Sequence, residues 1–413
     1  VRAPPLSALA SAAPAPTSSA LKMRLAPLLK DPALGPSIGL VVRDGATGRT
    51  LLDHDGARPR TPASTAKLLT AAAITRVADG RHTFETKVVT GATPNDVVLV
   101  AGGDTLLAPG RGDRSAVAGR AGIADLAGQV ATSLQRTGVR SVRVHLDDSY
   151  ARGPALAPEW EPGDVSLGLT GPVTMLGTTD ARALPGRAAP ADPALRATSL
   201  LATELGRAGI EVRGRPDRAP APAGAAPLGA VRSAPLTEVL ALALDESDNA
   251  LTESLARSTA AAQGVEPTFP AVATWVRTGL ADLGVPVSGA ELVDTSGLSR
   301  STRAPANVVA DVLTLASTGQ DPALAEVVAR LPVAGLSGTL FDRFHGPGAR
   351  PAAGLARAKT GTLTGVHALG GTVVDADGRL LVYAVLVDRA GGTLEARAAL
   401  DRLIAAIAAC GCR

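Results

Sequence analysis

The sequence predicts an α+β fold: an antiparallel sheet of about five strands flanked by helices, with an all-helical subdomain and an inserted β-rich domain. Three observations lead there. Strand-like apolar runs occur near both ends of the chain, two early and three late, each group beside a terminal helix. A helical pattern fills residues 237–317. Between them, residues 85–229 change to short β-like runs separated by Gly- and Pro-rich turns. At 413 residues the chain exceeds what one core usually spans, so two domains are expected. Hydrophobic residues make up 46% and aromatics 2%, so Ala, Val and Leu must fill the cores.

Taken in order, residues 1–20 are rich in Ala, Pro and Ser and read as a low-complexity tail. The opening at Val1 suggests a removed upstream segment, as in an exported protein, with room for a tether ahead of residue 1. A helix is expected over 17–31, where Leu and Ala recur on one face. Ile38–Val42 and Thr50–Leu52 are joined by Asp44-Gly45-Ala46-Thr47-Gly48, a hairpin signature. Pro59 and Pro62 break the chain, and Ser64 opens a helix running through Lys67 to Ala73. Residues 21–84 and 230–413 are assigned to one domain and 85–229 to the insertion.

Within the insertion, Thr86–Val89, Val97–Val100 and Val142–Leu146 read as strands, and 185–195 and 215–228 as loops or boundaries. Thr237 is the expected N-cap of a helix through Leu244. Further helices are expected at 250–262, 270–283 and 304–317. Ala356–Leu363, Ala368–Val374 and Leu380–Val387 are strands, the last two joined by Asp375-Ala376-Asp377-Gly378, and a final helix covers 393–409.

Composition excludes several functions. A net charge of +3 with no long basic run leaves no nucleic-acid footprint. No stretch of about 20 apolar residues is present to span a membrane. Cys410 and Cys412 flank one glycine, and a disulfide across one residue is strained. The reading stays open between a reduced end and a local disulfide. The five histidines lack metal-binding spacing, so neither metal nor cofactor is expected.

The chain holds five lysines against 36 arginines, and two of the five sit in short motifs. Arginine cannot give up its proton in a protein, so a base that must become neutral is written as lysine. Ser64-Thr65-Ala66-Lys67 places a hydroxyl and an amine three apart on one helix face. Ser247-Asp248-Asn249 offers a hydroxyl for proton relay and an amide for a substrate carbonyl, with Asp248 pointing away as a structural residue. Lys359-Thr360-Gly361 lies in a strand-like run, its glycine allowing close backbone approach. Lys67 as base needs a pKa lowered by roughly three units from about 10.4, on the order of 4 kcal/mol, which burial and a neighbouring cation both favour. Lys359 could supply that cation, or hold an anionic group of the substrate with Thr360. His367 could line the cleft or be structural, and Asp104 reads as a turn residue.

These three motifs, in this order, resemble the set shared by penicillin-binding proteins and serine β-lactamases. The intervals, 183 residues from Ser64 to Ser247 and 112 from Ser247 to Lys359, are similar to those of the S13 peptidases, the D-alanyl-D-alanine carboxypeptidase/endopeptidase family of class C low-molecular-mass penicillin-binding proteins. Ala101-Gly102-Gly103-Asp104-Thr105-Leu106, Leu146-Asp147-Asp148-Ser149-Tyr150 and Asp294-Thr295-Ser296-Gly297-Leu298-Ser299-Arg300 extend the likeness over about 35–390.

The resemblance implies a serine β-lactamase/DD-peptidase-like fold. It implies Ser64 as the acylated nucleophile, Lys67 as its base, and Ser247 and Asn249 as the second edge. Lys359 and Thr360 would hold the terminal carboxylate. The oxyanion hole would be the backbone N–H groups of Ser64 and Thr362, beside Gly361, at about 2.7–4 kcal/mol per donor. Asp147 would contact the amino end of a diaminopimelate-type side chain. Ala151 stands where the family often has Phe, and the insertion is shorter than in the best-known members. The implied partners are peptidoglycan stem peptides, with β-lactams as covalent inhibitors, and the implied site of action is outside the cytoplasm. A β-lactamase or esterase using the same residues, or a non-catalytic cell-wall binding protein, are the alternatives.

Overall fold

The computed structural model describes residues 13–411. The chain divides into two compact units: Val1–Asp79, Leu240–Thr252 and Val272–Arg413 form the first, Gly80–Val239 and Glu253–Ala271 the second. In chain order the strands are β1 (Ser37–Asp44), β2 (Thr50–His54), β3 (Thr83–Thr90), β4 (Asp96–Val100), β5 (Ser141–Asp147), β6 (Glu211–Val212), β7 (Asp217–Arg218), β8 (Pro227–Pro235), β9 (Ala356–Leu363), β10 (Val366–Val374) and β11 (Leu380–Asp388).

The first unit carries the five-stranded antiparallel sheet expected, in the order β2-β1-β11-β10-β9. β11 is central, and eight of its nine residues are buried. Its sequence is a continuous apolar run rather than an alternation because helices cover both faces. One face packs under Ser18–Leu25 and Thr393–Ala408, where Leu21, Leu25, Leu40, Tyr383, Val385, Leu403 and Ile407 form the core. Each such Leu or Val contributes about 1.5–3 kcal/mol by burial. The other face packs on Ala306–Ser317, which in turn contacts Ala66–Val77. Helix Ala306–Ser317, the last of the expected helical segment, thus lies opposite the terminal helices.

The second unit has a sheet ordered β6-β5-β4-β3-β8, with β7 also paired to β5. β3 is antiparallel to β4 and β8, whereas β5 is parallel to β4, β6 and β7. Two helices, Ile123–Arg136 and Pro193–Arg207, pack on each other and on this sheet. Sequence reading gave this unit β3, β4 and β5, but passed over β6, β8 and both helices, and read as loop the stretch 215–228 that holds β7 and the start of β8.

Three local readings differ. The helix expected over 17–31 ends at Leu25, followed by 3-10 turns at Leu28–Lys30 and Pro32–Leu34. Pro27 and Pro32 lack the N–H that would continue it. Thr237 is not an N-cap but the second residue of helix Leu236–Asp245. The first helical N–H groups are instead taken by main-chain carbonyls, Leu236 by His82 and Thr237 by Gly80. Cys410 is buried in the first unit's core, while Cys412, and with it the pairing of the cysteines, lies outside the described residues, as does residues 1–12 of the tail. Among the described residues no helix is long and apolar enough to cross a membrane.

Candidate active site

From Arg60 to Thr75 every residue is buried except Ser64, which is partly exposed. Ser64 lies in the 3-10 turn Ala63–Thr65 that opens into helix Ala66–Val77. The turn is strained: Ala63 has φ +45°, a region that costs a non-glycine residue about 1–3 kcal/mol. Two backbones hold it in place. A Cβ built on Gly361 of β9 would come within 2.8 Å of Pro62 O and 3.1 Å of Ala63 Cβ. One built on Gly297 (φ +74°) would lie 2.0 Å from Ala63 O. Only glycine lets both segments approach this closely.

Lys67 is fully buried one helical turn after Ser64. Its Nζ lies 2.9 Å from Ser64 Oγ, 2.5 Å from Asn249 Oδ1 and 2.8 Å from the Ser296 carbonyl. A neutral amine has two N–H donors and one lone pair. The two carbonyl oxygens can take the donors and leave the lone pair to the Ser64 hydroxyl, the arrangement a general base requires.

Asn249 is the first residue of helix Asn249–Ala262, and Asp248 serves it structurally, its Oδ1 accepting from Leu251 N at 2.9 Å. Ser247 takes φ +59° between two helices, where glycine would be easier. Of the two residues expected at the second edge, Asn249 contacts Lys67, and Ser247 lies two positions before it in the chain.

Lys359 on β9 is also fully buried, and its Nζ donates to the Thr360 carbonyl at 2.9 Å. Burial first, and the charge of Lys67 second, push its amine well below the usual lysine range, with Asp245 opposing. The sequence suggested that Lys359 keeps its charge while lowering Lys67. In the free protein the coupling also runs the other way. The Thr360 hydroxyl is bonded to Thr339 Oγ1 at 2.9 Å, and Thr362 is exposed at the end of the strand. His367, opposite Thr362, is buried and neither ring nitrogen has a hydrogen-bond partner among the described residues. Burial, then Arg397 and Arg343, push it down to about 4, so the ring is neutral at pH 7.

Asp147, at the end of β5, belongs to the second unit. Its Oδ1 accepts from Ser149 N (3.0 Å) and Ser149 Oγ (2.6 Å), and its Oδ2 from Ala221 N (2.8 Å). Burial raises its pKa, but these bonds outweigh it and the net shift is downward. With Glu85, Tyr150 and Arg232 it lines a cavity of about 460 Å³.

Sequence reasoning missed two participants. The Ser296 carbonyl is main chain, which no residue type announces. Asp245 acts on Lys359 through its charge, and its proximity depends on where the helix Leu236–Asp245 ends.

The "Carboxypeptidase DacB" of Mycolicibacterium smegmatis is 40% identical over 407 residues, covering 97% of this chain and 86% of that protein. The "D-alanyl-D-alanine carboxypeptidase" of Actinomadura sp. (strain R39) is 31% identical over 440 residues, 86% of this chain and 78% of that one. Among solved structures, penicillin binding protein 4 (dacB) from Haemophilus influenzae superposes with a TM-score of 0.72 at 20% identity, covering 94% of this chain and 97% of that one. At that identity it shows the fold, which is that of the penicillin-binding proteins. The D-Ala-D-Ala carboxypeptidase 3 (S13) family matches residues 21–184 and 176–407, so this chain is a member of the S13 peptidase family.

Proposed function

We propose that this chain is a serine DD-peptidase that hydrolyses D-Ala-D-Ala, D-Ala-meso-diaminopimelate crosslinks, or both, in peptidoglycan through an acyl-enzyme on Ser64, and that β-lactams acylate the same hydroxyl. The observation that carries this reading is the trio of contacts at Lys67 Nζ, which leaves a lone pair for the Ser64 proton.

Ser64 Oγ attacks the carbonyl of the penultimate D-Ala as its proton passes to Lys67. The Ser64 and Thr362 backbone N–H groups take the oxyanion. The departing amine receives the proton, with the Ser247 hydroxyl as relay, and water then hydrolyses the ester by the reverse route. Lys359 and Thr360 hold the substrate's terminal carboxylate, and Gly361 lets the strand close on the nucleophile turn. A carboxylate beside Lys359 opposes the effect of burial and restores the ammonium.

Asp147, ionised and lining a cavity, is the candidate for the amino end of the side chain. In this reading acyl transfer belongs to the first unit, which holds Ser64, Lys67, Asn249 and Lys359, and side-chain recognition to the second, which holds Asp147; the sequence drew that division at 21–84 with 230–413 against 85–229. The substrate places the enzyme outside the cytoplasm.

The test follows D-Ala and monomer release from a pentapeptide and a crosslinked muropeptide dimer, in parallel with penicillin trapping. Release from either, with a long-lived penicillin adduct, supports the reading. Rapid penicillin turnover with no release of either product contradicts it.

A further inference from the structure

The loop that supplies the Ser296 carbonyl is built around one carboxylate. Asp294 is fully buried, and its Oδ1 accepts from Gly297 N at 3.1 Å and Thr302 Oγ1 at 3.1 Å. Its Oδ2 accepts from Ser299 N at 2.7 Å and Ser296 Oγ at 3.3 Å. Ser296 Oγ in turn accepts from Leu298 N at 3.4 Å. Charge-assisted bonds of this kind are stronger than neutral ones, and several on one carboxylate leave a loop a single conformation.

That conformation touches the nucleophile and base at three points. The Ser296 carbonyl meets Lys67 Nζ at 2.8 Å. The Thr295 carbonyl accepts from Thr70 Oγ1 at 2.6 Å, on the same helix as Lys67. Gly297 sits against Ala63 O, the strained residue that sets the direction of Ser64. Beyond the loop, Ala304 and Arg60 exchange main-chain bonds of 2.8 and 3.0 Å, tying it to the segment that leads into Ser64.

We propose that Asp294 is a positioning residue for acyl transfer, its carboxylate holding the Ser296 carbonyl on Lys67 and Gly297 against the nucleophile turn. With the carbonyl in place, both N–H groups of the neutral amine are occupied and the lone pair is left to Ser64. Without it the amine can rotate and give an N–H to Ser64 Oγ, which leaves no acceptor for the proton. Misplacing a reacting group by about 1 Å costs up to about 100-fold in rate. The inference rests on the acyl-transfer reading of Ser64 and Lys67.

The experiment measures the second-order acylation rate by benzylpenicillin from pH 5 to 10 (about 0.5-unit steps) for the wild type, Asp294→Asn and Ser296→Ala. Rates are counted per competent site from the adduct stoichiometry, with a thermal melt alongside. Asp294→Asn keeps the shape but turns one end into a donor facing backbone N–H groups. Ser296→Ala removes the hydroxyl link and leaves the carbonyl.

Asp294→Asn should acylate roughly 10- to 100-fold more slowly per site. The low-pH limb should also move to lower pH, because a carbonyl oxygen that stabilises the Lys67 ammonium has withdrawn. Lys359, whose titration is coupled to that of Lys67, and Asp245, which acts on Lys359, are the same in all three proteins. Ser296→Ala should show the same shift to a smaller extent, and it decides the matter if Asp294→Asn does not fold. Wild-type per-site rates and limbs in the folded variants, with only the melt or the competent fraction changed, would overturn the proposal. A wild type that forms no adduct would instead sink the functional reading.

Discussion

At the scale of single residues, the chemistry demands particular side chains, and those were readable. An acyl-transfer base must lose its proton, and in a chain with 36 arginines a lysine three residues after a serine stood out. The structure adds that Lys67 has no room to be anything else, since it is fully buried with oxygens on three sides. Lys67→Arg keeps the charge but has no lone pair to offer and must fit a larger head into the same space. Acylation by penicillin should fall at least about 100-fold in stopped-flow or gel assays, and a loss of less than about threefold would remove Lys67 from the base role. The Ser296 carbonyl and the lowered Lys359 amine could not be read, because one is main chain and the other follows from burial in three dimensions.

Asp104 supplies a second prediction at this scale. It read as a turn residue, and its Oδ1 does accept from Leu106 N at 2.8 Å. Its burial pushes the carboxyl up to about 7. A raised folded-state pKa means that the native protein holds more protons than the unfolded chain between about 4 and about 7. The contribution to stability is full below about 4 and is lost as pH rises through about 7. Asp104→Asn should flatten that part of the stability profile and raise the urea midpoint above pH 7 relative to the wild type. Identical profiles for the two proteins from pH 4 to 8 would show that Asp104 does not carry this titration.

At the scale of elements, strands and helices that bury a continuous or periodic apolar face were legible. β9 begins and ends where the sequence placed it, and β10 and β11 differ by one or two residues. The two helices of the second unit were missed although the signal existed. Ile123, Leu126, Ala127, Val130, Ala131 and Leu134 are buried at spacings of three and four. Glycine and alanine between them diluted the pattern.

What no periodicity conveys is how closely two elements approach. β9 meets the turn carrying Ser64 at Gly361, where a methyl group would fall 2.8 Å from Pro62 O. Gly361→Ala should therefore push the strand off the nucleophile turn. Such overpacking costs about 1–3 kcal/mol. The acylation rate should drop more than about tenfold, a larger effect than the loss of stability alone explains. Wild-type kinetics in Gly361→Ala would mean that the strand and turn are not held in register by this contact.

At the scale of the whole molecule, the order and intervals of three short motifs carried more than any one of them. Serine and lysine at 64 and 67, serine and asparagine at 247 and 249, and lysine at 359 are dispersed over nearly 300 residues. The first unit gathers their elements because its sheet is closed by strands from both ends of the chain. That closure was visible as two early and three late apolar runs. The extent of the second unit was not, because residues 253–271 join it from within helices that begin or end in the first. No change of composition marks such a boundary.

If Lys67 relieves Ser64 of its proton, Ser64 becomes covalently acylated. The most direct measurement is intact-protein and peptide-level mass spectrometry after incubation with a fluorescent penicillin, on the wild type and on Ser64→Ala. One adduct per wild-type chain is expected, on the peptide containing Ser64, with labelling reduced by on the order of 10⁴ or more in Ser64→Ala. An adduct that maps to another serine, or a Ser64→Ala protein labelled as fully as the wild type, would contradict it.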